Sequence, residues 1–395
     1  MSTSNEQQCL HRTGRPLLAM ALAAVLAVPG IVAAGPTIQV GDQGSLNISY
    51  SMQVWGQSRS YTSDTDNGST FDTFLRRNRL TFAGQYNDYV GFYAQLEAGN
   101  DSKDGQDNRS VYYRDAYITL DRSDSMRFIV GRFKNTFSRE NLEACLEPLT
   151  LDRAEIISYT PFGGSRDTGI AMWGNLDNAK LQYRVMIADG REGDVLPKHQ
   201  PRTTARVHWS VFDPEPDYGY LGTYLGTKKV LTIGAAYDMQ PQVAYANYTT
   251  RSNPQDYTGS TLDIFYEQPT ASGTYTLSAA TFDYDVGNAI NTDPDPLLGS
   301  NTQLKATYVK GGYLFPNKIG KGRLQLFARH EDSKFNLTSG YLDQTSNAFG
   351  ANYYLDGQKL KLTLEHNIVD FNTPNPSMAS QQDYSKTTIG LQLIF

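Results

Sequence analysis

The chain ends on the stretch TTIGLQLIF, Thr387 to Phe395. Ile389, Leu391, Leu393 and Phe395 recur at every second position, with Thr388, Gly390 and Gln392 between them. A period of two is that of a β-strand, so this strand carries one apolar face and one polar face. A soluble protein that left such an edge open would invite pairing with other chains. In a closed barrel the last strand pairs with the first, and the expectation is that the chain stops where the wall is complete.

The same alternation runs through the whole chain. Val90, Phe92, Ala94 and Leu96 alternate with Gly91, Tyr93, Gln95 and Glu97. Leu181, Tyr183, Val185 and Ile187 alternate with Gln182, Arg184 and Met186, and Ala205, Val207 and Trp209 with Thr204, Arg206 and His208. About sixteen such segments fit between residue 44 and the end, each near the ten residues with which a tilted strand crosses a bilayer. Their connectors are sorted by length. YNDY, RSDS, NLDN and DG are short, whereas YTSDTDNGST, NDSKDGQDNR, VGNAINTDPDPLLGS and NTPNPSMASQQD are long and polar. Short turns alternating with long loops are the habit of outer-membrane barrels. One connector breaks the rule: Asp213 to Lys228, DPEPDYGYLGTYLGTK, is long where a short turn is due.

The N-terminus has the form of a secretory signal peptide. Arg12 and Arg15 precede the apolar run LLAMALAAVLAV, and Val32-Ala33-Ala34 forms a small-residue cleavage site. The run is too short to span a bilayer as a helix. The reading is a signal peptide over residues 1–34 and an outer-membrane β-barrel over 35–395. Cleavage removes Cys9 and leaves Cys145 without an intramolecular disulfide partner. A formal charge of −6 in 395 residues is mild and points to no nucleic-acid partner. The fold expected is therefore all-β: a transmembrane antiparallel β-barrel of about sixteen strands in the outer membrane of a Gram-negative bacterium. Its surroundings are outer-membrane lipid and lipopolysaccharide. The terminal Phe395 and the alternation before it look like the assembly signal read by the barrel-insertion machinery.

Four motifs follow one another in the first half of the mature chain. They are Arg76-Arg77-Asn78-Arg79-Leu80, Arg114-Asp115-Ala116-Tyr117, VGRFKNTF (Val130 to Phe137) and RDTGIAMWG (Arg166 to Gly174). In that order they resemble the phosphate-selective porin O and P family. The resemblance implies a trimeric, sixteen-stranded porin that passes anions. Thr136 stands where the family often has Pro.

The connector from Asn135 to Gly164 is the third on the long-loop side, and in porins that loop commonly folds into the lumen as a constriction. Its Leu142, Leu146, Leu149, Leu151, Ile156 and Ile157 would be poorly placed in water, and NLEACLEPL suits a short helix ended by Pro148. Its candidate constriction residues are Arg139, Glu140, Glu143, Glu147, Asp152 and Arg153, an acidic set. The wall has the opposite bias. Alternation puts Arg77, Arg79, Arg184, Arg202, Arg206, Lys305, Arg323, Arg329, Lys359, Lys361 and Lys386 on the polar face, against fewer acids, Glu97, Asp115, Glu331 and Glu365. These bases are candidate pore-lining groups, and Arg holds anions through parallel donors. They can equally brace the loop by pairing with its carboxylates.

Enzyme signals are weak. No GxSxG is present, His199 and His208 lack zinc spacing, and DTDNG and DSKDGQD lack EF-hand spacing. No catalytic residue, metal site or cofactor is expected. The function read from the sequence is passive diffusion of small solutes with a weak anion, or phosphate, preference. The alternatives are a sleeve for partner multihaem cytochromes that carry electrons across the membrane, and a purely structural barrel.

Overall fold

The computed structural model describes residues 35–61, 68–98, 110–158, 162, 165–192, 196–247, 249–289, 301–337, 340–372 and 383–395. The expected signal peptide and Cys9 lie outside them, as do DSKDGQD and nearly all of DTDNG. The strands are β1 (Thr37–Val40), β2 (Gly44–Tyr61), β3 (Ser69–Gln85), β4 (Val90–Ala98), β5 (Val111–Ser123), β6 (Met126–Lys134), β7 (Arg166–Leu176), β8 (Leu181–Ala188) and β9 (Arg202–Ser210). They continue as β10 (Val230–Asn247), β11 (Ser252–Thr270), β12 (Gly273–Asp285), β13 (Asn301–Ile319), β14 (Gly322–Leu337), β15 (Gly340–Asp356), β16 (Leu360–Phe371) and β17 (Tyr384–Ile394).

From β2 to β17 each strand pairs antiparallel with the next, and β17 closes on β2 from Tyr384↔Tyr61 to Ile394↔Ser51. The result is a closed barrel of sixteen lanes with β1 as an extra strand. At the seam Phe395 N donates to Tyr50 O at 2.8 Å, and Tyr50 N returns a bond to Phe395 O at 2.6 Å. Just beyond, β1 pairs with Gly44–Asn47 of β2, so the two ends of the chain share one lane.

Burial follows the alternation, inside out. Ile389, Leu391, Leu393 and Phe395 are exposed on the outer face, while Thr388, Gly390, Gln392 and Ile394 are buried within. Tyr86, Tyr89, Trp209, Tyr275 and Phe395 are exposed near the short-turn end, where rings straddle the boundary between lipid and water. No helix among the described residues is long and apolar enough to cross a membrane.

Among the register shifts of the wall are two that each leave an arginine over. Between β2 and β3, Gln53↔Arg77 is followed by Val54↔Leu75, which leaves Arg76 as the extra residue. Between β4 and β5, Arg114 is left over in the same way. A bulge re-aims a side chain, and here it gives Arg76 and Arg114 access to inward carboxylates.

Two expected wall positions are corrected. Lys305 lies on the outer face, exposed beside Asp283 at 3.7 Å, because its neighbours Leu304 and Ala306 take the inward phase. Lys359 is exposed in the turn between β15 and β16, before the ladder begins. The helix expected over NLEACLEPL is shorter and starts earlier: α1 is Arg139–Leu142, capped by Ser138 Oγ, which accepts from Asn141 N at 3.0 Å. It stops because Glu143 and Ala144 turn aside to pair with Tyr220, and Ala144 N donates to Tyr220 O at 2.8 Å.

Ile264 sits mid-strand on the outer face, in a row with Ile233, Ala279 and Val309. Ile264→Arg is expected to cost about 2–4 kcal/mol if that row lies at the bilayer midplane. Urea-dependent refolding into lipid vesicles measures the cost, and a change within error of zero would place this face outside hydrocarbon.

Candidate functional site

The side chains that define the interior come from the wall and from two segments packed against it. The first, after β6, carries α1 and a 3-10 turn at Glu155–Ser158. Most of its apolar residues are buried, with Leu146 and Ile157 half-buried: Leu142 lies with Trp173 and Tyr220, Leu151 with Trp55 and Phe74, and Ile156 with Tyr257 and Phe282. Its carboxylates meet inward cations from several strands. Lys310 Nζ of β13 donates to Glu140 at 2.7 Å and to Glu143 at 3.0 Å, with all three side chains fully buried. Asp152 accepts from Arg77 and Arg76 of β3, each at 2.7 Å. Glu155 accepts from Lys386 of β17 at 2.7 Å. Glu365 of β16 accepts from Leu151 N at 3.1 Å, and Arg329 of β14 donates to Thr150 Oγ1 at 2.9 Å.

The second segment is the connector that broke the length rule, between β9 and β10. It packs against the first. Glu215 accepts two bonds from Arg139, both at 2.7 Å, and one from Thr232 Oγ1 at 2.6 Å. Tyr220 OH meets Arg184 and His208. Glu267 of β11 accepts from Tyr224 N at 2.9 Å and Gly226 N at 2.8 Å. Gly222 N donates to Glu147 O at 3.0 Å, and a Cβ on Gly222 would stand 2.4 Å from Leu149 N. Only glycine permits that approach.

Most of the expected wall bases are already paired. Arg79 Nε donates to Glu97 at 2.9 Å and its Nη1 to Cys145 Sγ at 2.8 Å. Arg202 donates to Asp238 at 2.5 Å and Asp167 at 3.2 Å, and Arg206 to Asp263 at 2.6 Å. Arg184 binds Tyr218 O at 2.6 Å, Arg329 lies 2.7 Å from Glu331, Lys361 donates to Gln358 at 2.9 Å, and Arg323 to Leu225 O at 3.2 Å. Arg153 donates to Asn141 O at 2.8 Å. Sequence reasoning missed Lys310, Glu215, and the wall acids Asp167, Asp238 and Asp263. Each of the four strand residues shares the inward phase of its strand, so the signal was present. The register that pairs them was not.

A cavity of about 140 Å³ remains between the first segment and the inner face of β2 to β6. Arg79, Lys134, Arg166, Asp115, Cys145 and Glu147 reach it, beside Tyr93, Tyr117, Phe133 and Tyr218. Burial pushes the Glu147 carboxyl up to about 7. Burial alone would raise the Cys145 thiol too, yet Arg79, Arg77 and Arg114 hold it well below its ordinary value. Against burial, Arg139 holds Glu215 down at about 2. Burial and the charge of Glu140 push Glu143 up, while Lys310 overcomes burial and pulls Glu140 down. Among the described residues no cluster of His, Cys, Asp and Glu could hold a metal ion.

The model of the family described as phosphate-selective porin O and P matches residues 48–395. No curated protein matches the chain by sequence. Among solved structures, the complex of OmpF from Salmonella typhi with daunomycin is similar at 14% identity and a TM-score of 0.60, over 91% of this chain and 100% of that one. An anion-selective porin from Comamonas acidovorans is similar at 10% identity and 0.57, over 89% and 100%. The outer membrane channel DcaP of Acinetobacter baumannii is similar at 15% identity and 0.55, over 91% and 99%. At these identities the likeness is one of fold.

Lys310 holds two buried carboxylates, so Lys310→Met leaves both without their cation. The expected cost is about 3–5 kcal/mol, read as a lower urea midpoint of the refolded barrel and faster proteolysis between residues 139 and 158. Adding Glu140→Gln and Glu143→Gln should recover most of the loss. An unshifted midpoint in the single variant would show that Lys310 does not brace this segment.

Proposed function

The chain belongs to the phosphate-selective porin O and P family, and on that premise we propose that it is a passive diffusion channel of the outer membrane with a weak preference for small anions. The observation that carries this reading is the cavity beside β2 to β6, where Arg79, Lys134 and Arg166 stand against Asp115 and Glu147. Cations lining a watery path attract anions. The preference is weak because most lumenal guanidiniums already bond carboxylates or carbonyls. Those bonds also argue against strict phosphate selectivity, since a tetrahedral anion needs several free donors converging on it.

In this reading residues 135–164 set the constriction, together with the segment between β9 and β10. The bonds that tie residues 139–158 and the segment between β9 and β10 to wall residues weigh against a sleeve for a multihaem cytochrome. The channel sits in the outer membrane of a Gram-negative bacterium, among lipid and lipopolysaccharide, as a homotrimer. A trimer form is described for the similar OmpT of Vibrio cholerae.

In a potassium chloride gradient across a planar bilayer, the reversal potential is expected to favour chloride. The preference should shrink at high salt, since the screening length falls to about 3 Å at 1 M. A potassium preference would overturn the proposal. The Glu147 carboxyl, pushed up to about 7, is neutral below that pH and adds a negative charge above it. Chloride preference should therefore be larger one unit below that value than one unit above. Glu147→Gln should abolish this pH dependence, and a dependence that survives the substitution would assign it elsewhere.

A further inference from the structure

The cavity beside β2 to β6 has two unlike sides. One is aromatic. Tyr93 and Tyr117 stack at 5.1 Å with 25° between their planes, and Phe133 meets Tyr117 edge-on at 6.4 Å. The other is charged, with Arg79, Lys134 and Arg166 beside Asp115, Glu147 and Cys145. Its volume, about 140 Å³, is close to that of an engineered cavity that admits benzene, about 150 Å³.

The state of the cations decides what kind of anion suits the site. Arg166 donates to Asp115 at 3.0 Å, and Lys134 to Glu143 O at 2.6 Å and Leu142 O at 3.2 Å. Arg79 is committed to Glu97 and Cys145, although its buried Nη2 has no partner among the described residues. The site thus sets three basic groups beside Asp115 and Glu147 and leaves few free donors. A strongly hydrated, multiply charged anion would lose its water without replacement bonds. A singly charged anion with an apolar body keeps the Coulomb attraction and gains contact with the rings.

Resting on the anion-channel reading, we infer that this cavity is a docking site for aromatic monocarboxylates of the benzoate type. The ring lies against Tyr93, Tyr117 and Phe133, and the carboxylate faces Arg79, Lys134 and Arg166. Such an anion both permeates and, while it dwells, obstructs chloride.

The test uses the mature protein reconstituted in planar bilayers, with benzoate, cyclohexanecarboxylate, acetate and inorganic phosphate each titrated against chloride current. Benzoate is expected to half-block at a concentration about tenfold below acetate and phosphate, with cyclohexanecarboxylate between. Tyr117→Leu, checked for its folded, heat-modifiable form, should bring benzoate towards acetate. Equal block by benzoate and acetate, or tighter block by phosphate, would overturn the inference even where chloride preference is measured. If Tyr117→Leu fails to assemble, the comparison of the four anions on the unaltered protein decides by itself. A potassium-selective channel would instead remove the reading beneath it.

Discussion

In hydrocarbon a backbone N–H or C=O has no water to turn to, so a sheet in the membrane must leave no edge. Everything else in this protein follows from that closure. It makes β17 pair with β2, and it lets β1 and β17 occupy one lane from opposite ends of the chain. It also inverts the usual layout. The outer face is largely apolar, and the polar half of the alternating strands is turned into a confined space.

That confinement sets the interior electrostatics. A charge taken out of water is costly unless it is paired and hydrogen-bonded. The wall meets this condition by pairing within itself, as Arg202 with Asp238 and Arg206 with Asp263, and by pairing with the segments after β6 and between β9 and β10. The acidic first segment and the basic wall are two halves of one compensated network, centred on Lys310 between Glu140 and Glu143. The second segment reaches the same network through Arg139 and Glu215. Beside β2 to β6 the same pairing continues, Arg79 with Glu97 and Arg166 with Asp115, around the cavity that remains.

Much of this was legible in the sequence. The period of two sorted inward from outward residues correctly along β4, β8, β9, β16 and β17. Phase alone placed Arg79, Arg202, Arg206 and Arg329 inside. It failed where the period itself is broken or ends: Arg76 and Arg114 are bulge residues, Lys359 precedes its strand, and Lys305 was read in the wrong phase. It could not foresee α1 stopping at Leu142, because the partner that diverts Glu143 lies in a segment far along the chain.

What the sequence by itself determined is local and periodic: strands of about ten residues, an apolar face on each, short turns at one end, and the residue types available inside. These are set by backbone geometry and by the cost of placing polar groups in lipid, which act residue by residue. What only the tertiary structure decided is which charge meets which. Partners as distant as Arg77 and Asp152, or Lys310 and Glu140, are joined by register and by the path of segments inside the barrel. Register is a property of closure around the whole ring, and no single stretch of the chain contains it.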